Sequence, residues 1–319
     1  MAKERFVIEL GSSNTVIYKV GYGIVLREPT AVAIKSDTYE ILEVGQKAKK
    51  MQGKNDYSFD IIEPIKHGVI DNKQVAMEML KIFLSKVKSK GLFGSTEVTF
   101  CVSTGLTDNQ LLDYKDIALY AGVDKLKFVN VCLSGLVGSG VKVDKPSAVA
   151  CINLGGGNCN FAVVSMNKII EGFSVSFGGK DIDKAIIDYI VSLKNMEVSL
   201  ALAERIKNEC GSLYSQDTSN MEITGIDCDT KRPVSEIITA SEVREAIIPY
   251  FENIKKCFEK LLYSCTADVI SDITQNGVYV IGGLANITGL ENYLSKSLNL
   301  QIIIPDEPEN CTVMGIIKN

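Results

Sequence analysis

Tryptophan is absent from the chain and histidine occurs once, at His67. With one imidazole, and no Cys-x-x-Cys pair among nine scattered cysteines, neither a zinc centre nor a disulfide framework is expected, and a reducing cytoplasm is. No run of about 18 apolar residues occurs, and no basic start leads into an apolar stretch and a small-residue cleavage site. The chain is therefore expected to be neither secreted nor membrane-spanning. Low-complexity tracts and long Pro/Gly/Ser linkers are missing too, so domains must be joined by short crossings. Basic residues are not in excess: 34 Lys and Arg face 39 Asp and Glu, a net charge of −5 that gives no support for a nucleic-acid partner. What is present, 319 residues with 46% apolar and 23% charged side chains, suits about two globular domains with substantial cores.

The most informative stretch runs from Cys151 to Val164, where one apolar run enters Gly155-Gly156-Gly157 and another leaves it. It reads as two strands joined by a turn whose backbone can approach a ligand closely. Alone, such a hairpin is more often just a turn than a phosphate cradle. A second copy changes the weighting. Ile8-Glu9-Leu10-Gly11-Ser12-Ser13-Asn14 matches Ile152-Asn153-Leu154-Gly155-Gly156-Gly157-Asn158 at one constant offset, with Leu-Gly and the later Asn in register. Two similar domains facing each other, with successive N–H groups gripping one polyphosphate from both sides, would explain both copies.

Strand and helix alternate along the rest, the α/β signature. A helix is expected after Asn72, with Ala76, Met79, Leu80, Phe83 and Val87 on one stripe. A strand is expected over 98–102, a helix over 108–120, a strand over 128–131 and a small-residue helical turn over 134–140. The second half offers helices over 183–193 and 200–210, a polar, turn-rich patch over 212–232, and a long helix opened by the capping-box spacing of Thr239 and Glu242, with Pro249 as a kink. The strand Val278 to Ile281 runs into Gly282-Gly283-Leu284-Ala285, with Asn286 placed to cap a helix, which makes a third glycine turn suited to a nucleotide.

Lys86, Lys88 and Lys90 precede Gly91-Leu92-Phe93-Gly94. Leu92 and Phe93 either fold back as satellite core or insert into a membrane whose anionic surface attracts the lysines. Burying both yields roughly 3–6 kcal/mol, about millimolar affinity, enough for an array and too little for a monomer.

These glycine turns, in this order and spacing, resemble the actin, sugar-kinase and heat-shock ATPase superfamily, and at finer grain the bacterial actin MreB family. The segments 10–15, 23–29 (Gly-Ile-Val-Leu-Arg-Glu-Pro), 64–70 (Pro-Ile-Lys-His-Gly-Val-Ile) and 204–211 (Glu-Arg-Ile-Lys-Asn-Glu-Cys-Gly) each resemble a family motif, and the likeness covers nearly the whole chain. It implies an actin-like α/β fold of two lobes, each a mixed sheet flanked by helices with a small subdomain. The implied division is 1–34, 67–140 and 306–319 (IA), 35–66 (IB), 141–179 and 240–305 (IIA), and 180–239 (IIB). It further implies ATP or ADP in the cleft, polymerisation on the inner membrane face, and a membrane-inserting role for Leu92 and Phe93.

Departures from the family pattern define the expected member. Glu9 and Asn153 stand where the family places two Asp residues, leaving Glu9 as the one candidate to hold Mg²⁺. Asn158, Cys159 and Asn160 replace a Thr pair and an acid. Val131 aligns with the Glu that orients the attacking water, and valine can neither accept a proton nor hold a water. Positioned acid–base groups contribute about 10²–10⁴-fold in rate, so hydrolysis is expected to be very slow or absent. Lys180 replaces an Asp after Gly178-Gly179 and either reaches a phosphate or Glu9, or stays solvated. Leu284 replaces a third glycine and either narrows access to the base or packs beside it. The expected nucleotide contacts are Ser12, Ser13, Asn14, Gly155, Gly156, Gly157, Asn158, Lys180, Gly282, Gly283, Leu284 and Ala285. Glu204 and Lys207 join them by resemblance, against an ordinary i,i+3 helix pair on the residues alone. The resulting reading is a membrane-apposed filament protein for cell shape or motility, peripheral at the inner face of the membrane, assembling with itself and alongside a hydrolysing paralogue. A sugar-kinase-like enzyme and a non-polymerising regulatory partner of another actin are the alternatives.

Overall fold

The computed structural model describes residues 2–54, 57–89 and 94–315. Its frame is one five-stranded plan used twice. In the first lobe Ala2–Leu10 is central, antiparallel to Asn14–Lys19, which pairs with Gly23–Pro29; on its other side Gly94–Val102 and then Lys125–Asn130 run parallel to it. In the second lobe Val149–Leu154 takes the central place, Cys159–Ser165 and Lys168–Val175 continue antiparallel, and Val278–Ile281 and Ile302–Ile303 lie parallel. The duplication legible in the two turns extends to their hydrogen bonds. The N–H of Gly11 donates to the Asn14 carbonyl, and that of Gly155 to the Asn158 carbonyl, both at 3.0 Å.

Side-chain alternation along each central strand feeds two cores at once. Phe6, Ile8 and Leu10 pack with Met79, Leu80 and Phe83 of the helix Lys73–Val87 and with Tyr114 and Ile117 of the helix Asp108–Tyr120. Ile152 and Leu154 pack with Ile182, Ile186 and Ile190 of the helix Gly179–Lys194 and with Phe251, Ile254 and Phe258 of the helix Ala240–Tyr263. The intervening Val7, Val149 and Cys151 enter a third apolar layer between the sheets. That layer also holds Cys101 and is filled by Val131, Cys132 and Leu136 of the helix Val131–Gly138 and by Cys311 and Val313 of the short helix Cys311–Met314.

Each lobe carries a small antiparallel sheet. One joins Ile41–Val44, Val32–Lys35 and Phe59–Ile62; the other joins Met196–Glu197, Asn220–Asp227 and Pro233–Thr239. The capping box of Thr239 and Glu242 forms as its spacing predicts, and the helix continues through Pro249.

Four expectations about elements are corrected. The patch 212–232 contains the strand Asn220–Asp227, whose side chains face solvent or lie half-buried apart from Ile223, so composition concealed it. Val131 opens a helix instead of closing a strand, because the Asn130 side chain accepts the N–H groups of Cys132 at 2.8 Å and Leu133 at 3.3 Å and caps it. The helix predicted from Asp183 begins at Gly179, where the Asp181 carboxylate accepts the N–H of Gly178 at 2.8 Å. Asn286 caps no helix: it ends a 3₁₀ turn, Gly283–Asn286, and the next helix, Leu290–Leu298, starts after Gly289.

The layer between the lobes closes at glycines. A Cβ on Gly138 would stand 1.9 Å from the Cys311 carbonyl oxygen, a backbone contact that cannot yield without moving the short C-terminal helix. Gly138→Ala is expected to cost about 1–3 kcal/mol in unfolding free energy by denaturant titration, the range for overpacking a tight contact. A wild-type midpoint would refute this packing.

Candidate functional site

At the edge of the interlobe layer the two sheets part, and a cleft of about 430 Å³ opens between them. Its size is that of a small-molecule site. Paired residues on neighbouring strands share a face of the sheet, so strand register dictates the cleft floor. In the first lobe the row reads Cys101, Glu9, Val16, Arg27, and all four line the cleft. The corresponding row of the second lobe reads Ile281, Asn153, Asn160, Ser174, of which Asn153 and Asn160 line it.

The two glycine turns meet above this floor. A Cβ on Gly156 would lie 2.1 Å from Ser13 Oγ, and one on Gly157 would lie 2.5 Å from Ser12 Oγ, so only glycine permits this approach of turn to turn. Ser12, Ser13, Asn14, Gly155, Gly156 and Asn158 line the cleft; Gly157 does not, and the His67 imidazole hydrogen-bonds its carbonyl at 2.9 Å. Gly68, at φ +77°, packs where a Cβ would strike Ser103 Oγ and Asn158 Nδ2. Asn158 in turn donates to Ser103 Oγ at 2.9 Å, and Asn160 accepts the Thr104 N–H at 2.8 Å. The polar wall opposite Ser12 and Ser13 is thus tied to the first lobe.

On the other side Gly282, Gly283 and Leu284 line the cleft, whereas Ala285 is buried behind them. Glu204 and Lys207 both line it but do not pair with each other. Glu204 accepts from Lys49 of the short helix Gln46–Lys49 at 2.6 Å, and the buried Lys207 sits 2.7 Å from Asp183 while donating to the Gly179 carbonyl at 3.3 Å. Burial pushes the Asp183 carboxyl up against the pull of Lys207. Lys180 lies beside the cleft and does not reach Glu9: partly exposed, its ammonium bonds the Ser12 carbonyl and the Glu63 carboxylate, each at 2.6 Å.

Val131 lines the cleft as a nearly buried apolar side chain at the first turn of its helix, and Asn153 reaches Thr312 Oγ1 at 3.5 Å. Leu92 and Phe93 lie outside the described residues. Of the lysines before them, Lys88 donates to the carbonyls of Ala121 and Gly122 just past the helix Asp108–Tyr120, and Lys86 stands 3.7 Å from Glu28. Residues missed in the sequence are Arg27, Gly68, Ser103, Glu309 and Thr312, all lining the cleft. Arg27 and Gly68 sit inside stretches that carried the family likeness, and counting strand register outward from Glu9 would have found Arg27.

Protein encloses Glu9 except toward the cleft, and this desolvation pushes its carboxyl up to about 7 despite the opposing charge of Arg27. Between the unfolded carboxylate's ordinary 4.5 and this value the folded chain holds a proton that the unfolded chain has lost. The contribution of Glu9 to the stability of the nucleotide-free protein therefore falls as pH rises through that window, by on the order of 3 kcal/mol, and is lost above it. Glu9→Gln should remove this component. Denaturant titrations of both proteins at pH 5 and pH 8 check it, and an equal pH response in the two would refute it.

The profile of the MreB/Mbl protein family matches residues 3–319. The cell shape-determining protein MreB of Escherichia coli K12 is 31% identical over 314 residues, covering 97% of this chain and 90% of that one. The cell shape-determining protein Mbl of Bacillus subtilis is 29% identical over 310 residues, covering 97% and 93%. Among solved structures, MreB5 of Spiroplasma citri bound to AMPPNP has a TM-score of 0.94 at 26% identity, covering 99% of this chain and 95% of that one. The MamK double helical filament, at 16% identity, has a TM-score of 0.85 with coverage of 99% and 98%, a likeness of fold alone. Sequence match along almost the whole length and an actin-like fold place this chain in the MreB/Mbl family.

Proposed function

We propose that this chain is an actin-like filament protein that binds ATP or ADP between its lobes, hydrolyses it very slowly if at all, and assembles on the inner face of the cell membrane. The observation that carries the nucleotide reading is the mirrored pair of turns, Gly11–Asn14 and Gly155–Asn158, with matching hydrogen bonds on two sides of one cleft. Their remaining N–H groups are suited to a polyphosphate. MreB5 of Spiroplasma citri, with nearly the same fold, is bound to AMPPNP in one structure and to ADP in another.

Slow hydrolysis is proposed because no base stands at the positions where the family resemblance places one. Val131 offers no lone pair, and Asn153 and Asn158 are amides that cannot take a proton from water. Assembly is proposed from family membership, with a hydrolysing paralogue as co-polymer. Membrane attachment is proposed through Leu92 and Phe93. With Lys88 tied to backbone carbonyls, apolar insertion carries more of that attachment than lysine charge does.

Sedimentation with and without Mg·ATP and anionic vesicles, with phosphate release assayed in the same tubes, tests the reading. Pelleting with little phosphate release is expected, and Leu92→Ser with Phe93→Ser should abolish the vesicle-dependent fraction alone. Brisk phosphate release would overturn the hydrolytic part, and failure to pelletise under any condition would overturn the filament part. Val131→Glu puts a carboxylate at a helix N-terminus, where the dipole favours it, and is expected to raise phosphate release by about tenfold or more.

A further inference from the structure

The cleft floor has few groups to hold a metal ion and carries a cation of its own. A divalent cation held beside phosphates ordinarily takes one or two protein carboxylates. The floor offers one, Glu9; at the equivalent place in the second lobe stands Asn153, turned toward Thr312 Oγ1. Asn160 and Ser174 complete that row without charge. Two further carboxylates line the cleft: Glu204 is ion-paired with Lys49, and Glu309 accepts from the neutral Asn286 amide at 3.2 Å. Among the described residues the floor thus offers a divalent cation one carboxylate, Glu9, the least such an ion takes.

The same floor carries a fixed cation. Arg27 follows Glu9 and Val16 in one row of directly paired residues, on the face of the sheet that lines the cleft. Lys207 is the other cation among the described lining residues, and Asp183 takes its charge. The Arg27 guanidinium has Asn310 Oδ1 as its hydrogen-bonded partner, and no carboxylate among the described residues forms an ion pair with it. A neutral amide forms no ion pair and leaves several of a guanidinium's donors free, although the Glu9 carboxyl in the same row feels the charge. Charge-assisted, forked hydrogen bonding to phosphate oxygens is what this group does best.

We infer that Arg27 is a phosphate-binding residue of the cleft floor that supplies, as built-in charge, part of what a divalent cation otherwise brings with a nucleotide, so that binding depends little on Mg²⁺. This rests on the nucleotide reading above and goes beyond it by naming a residue and a metal requirement.

The test is the ATP dissociation constant of the purified full chain, by titration calorimetry at fixed ionic strength, in excess Mg²⁺ and in excess EDTA. The wild type should differ by less than about threefold between the two, a small fraction of a charged hydrogen bond. Arg27→Gln should weaken binding in EDTA by about tenfold or more, with Mg²⁺ restoring most of the loss, and Arg27→Lys should lie between. Asn310→Ala breaks the Arg27 contact while keeping the charge and should bind in EDTA like the wild type, which separates phosphate binding from anchoring of the C-terminal turn. Wild-type binding only with Mg²⁺ would overturn this inference and leave the nucleotide reading standing. No binding in either medium would overturn both. Equal affinities of Arg27→Gln and the wild type in EDTA would remove Arg27 from the site.

Discussion

The central strands Ala2–Leu10 and Val149–Leu154 face each other through an apolar layer, and each turns one polar side chain, Glu9 or Asn153, into the cleft at that layer's edge. The period-two alternation of a strand leaves no freedom here. If Val7 and Cys151 are to lie in the layer, then Glu9 and Asn153 must emerge two residues later, just before the turns. The helices Val131–Gly138 and Cys311–Met314 fill the gap behind them and approach closely enough that Gly138 and Gly315 have no room for a Cβ. Cleft position, floor composition and the placement of Val131 and Thr312 all descend from that one layer.

Much of this was legible in the sequence because it was local. The matching turns announce themselves by Leu-Gly and a later Asn, and the backbone hydrogen bonds confirm the repeat without reference to any distant residue. Thr239 and Glu242 form their capping box for the same reason. Legibility ended where partners come from far along the chain. Nothing near Lys180 in sequence says that Glu63 and the Ser12 carbonyl will hold it, nor that Lys207 will pair with Asp183 and leave Glu204 to Lys49. The strand Asn220–Asp227 was hidden because a mostly exposed strand has little apolar alternation to display. Arg27 was overlooked because Glu9 is two strands away from it and its hydrogen-bonded partner Asn310 lies near the other end of the chain.

Charge is arranged differently at the mouth and on the floor. At the mouth, Lys49 with Glu204 and Lys180 with Glu63 join segments flanking the small first-lobe sheet to the second lobe, in half-exposed pairs each worth little singly. On the floor, Glu9 and Arg27 share one row of one sheet, and the facing row is neutral. A ligand entering the cleft therefore meets paired charges first and an unevenly charged floor second.

The apolar layer has a further property that follows from its composition. Cys101, Cys132, Cys151 and Cys311 are all buried in it, and burial raises the thiols of Cys101 and Cys151 well above their ordinary range. A buried, protonated thiol is inert, since the thiolate is the species that reacts. Cys101 also borders the cleft, whereas the sulfurs of Cys132, Cys151 and Cys311 meet a reagent in solution only when the sheets separate. Their alkylation rate is then a chemical clock for lobe separation, wound into the molecule without any label.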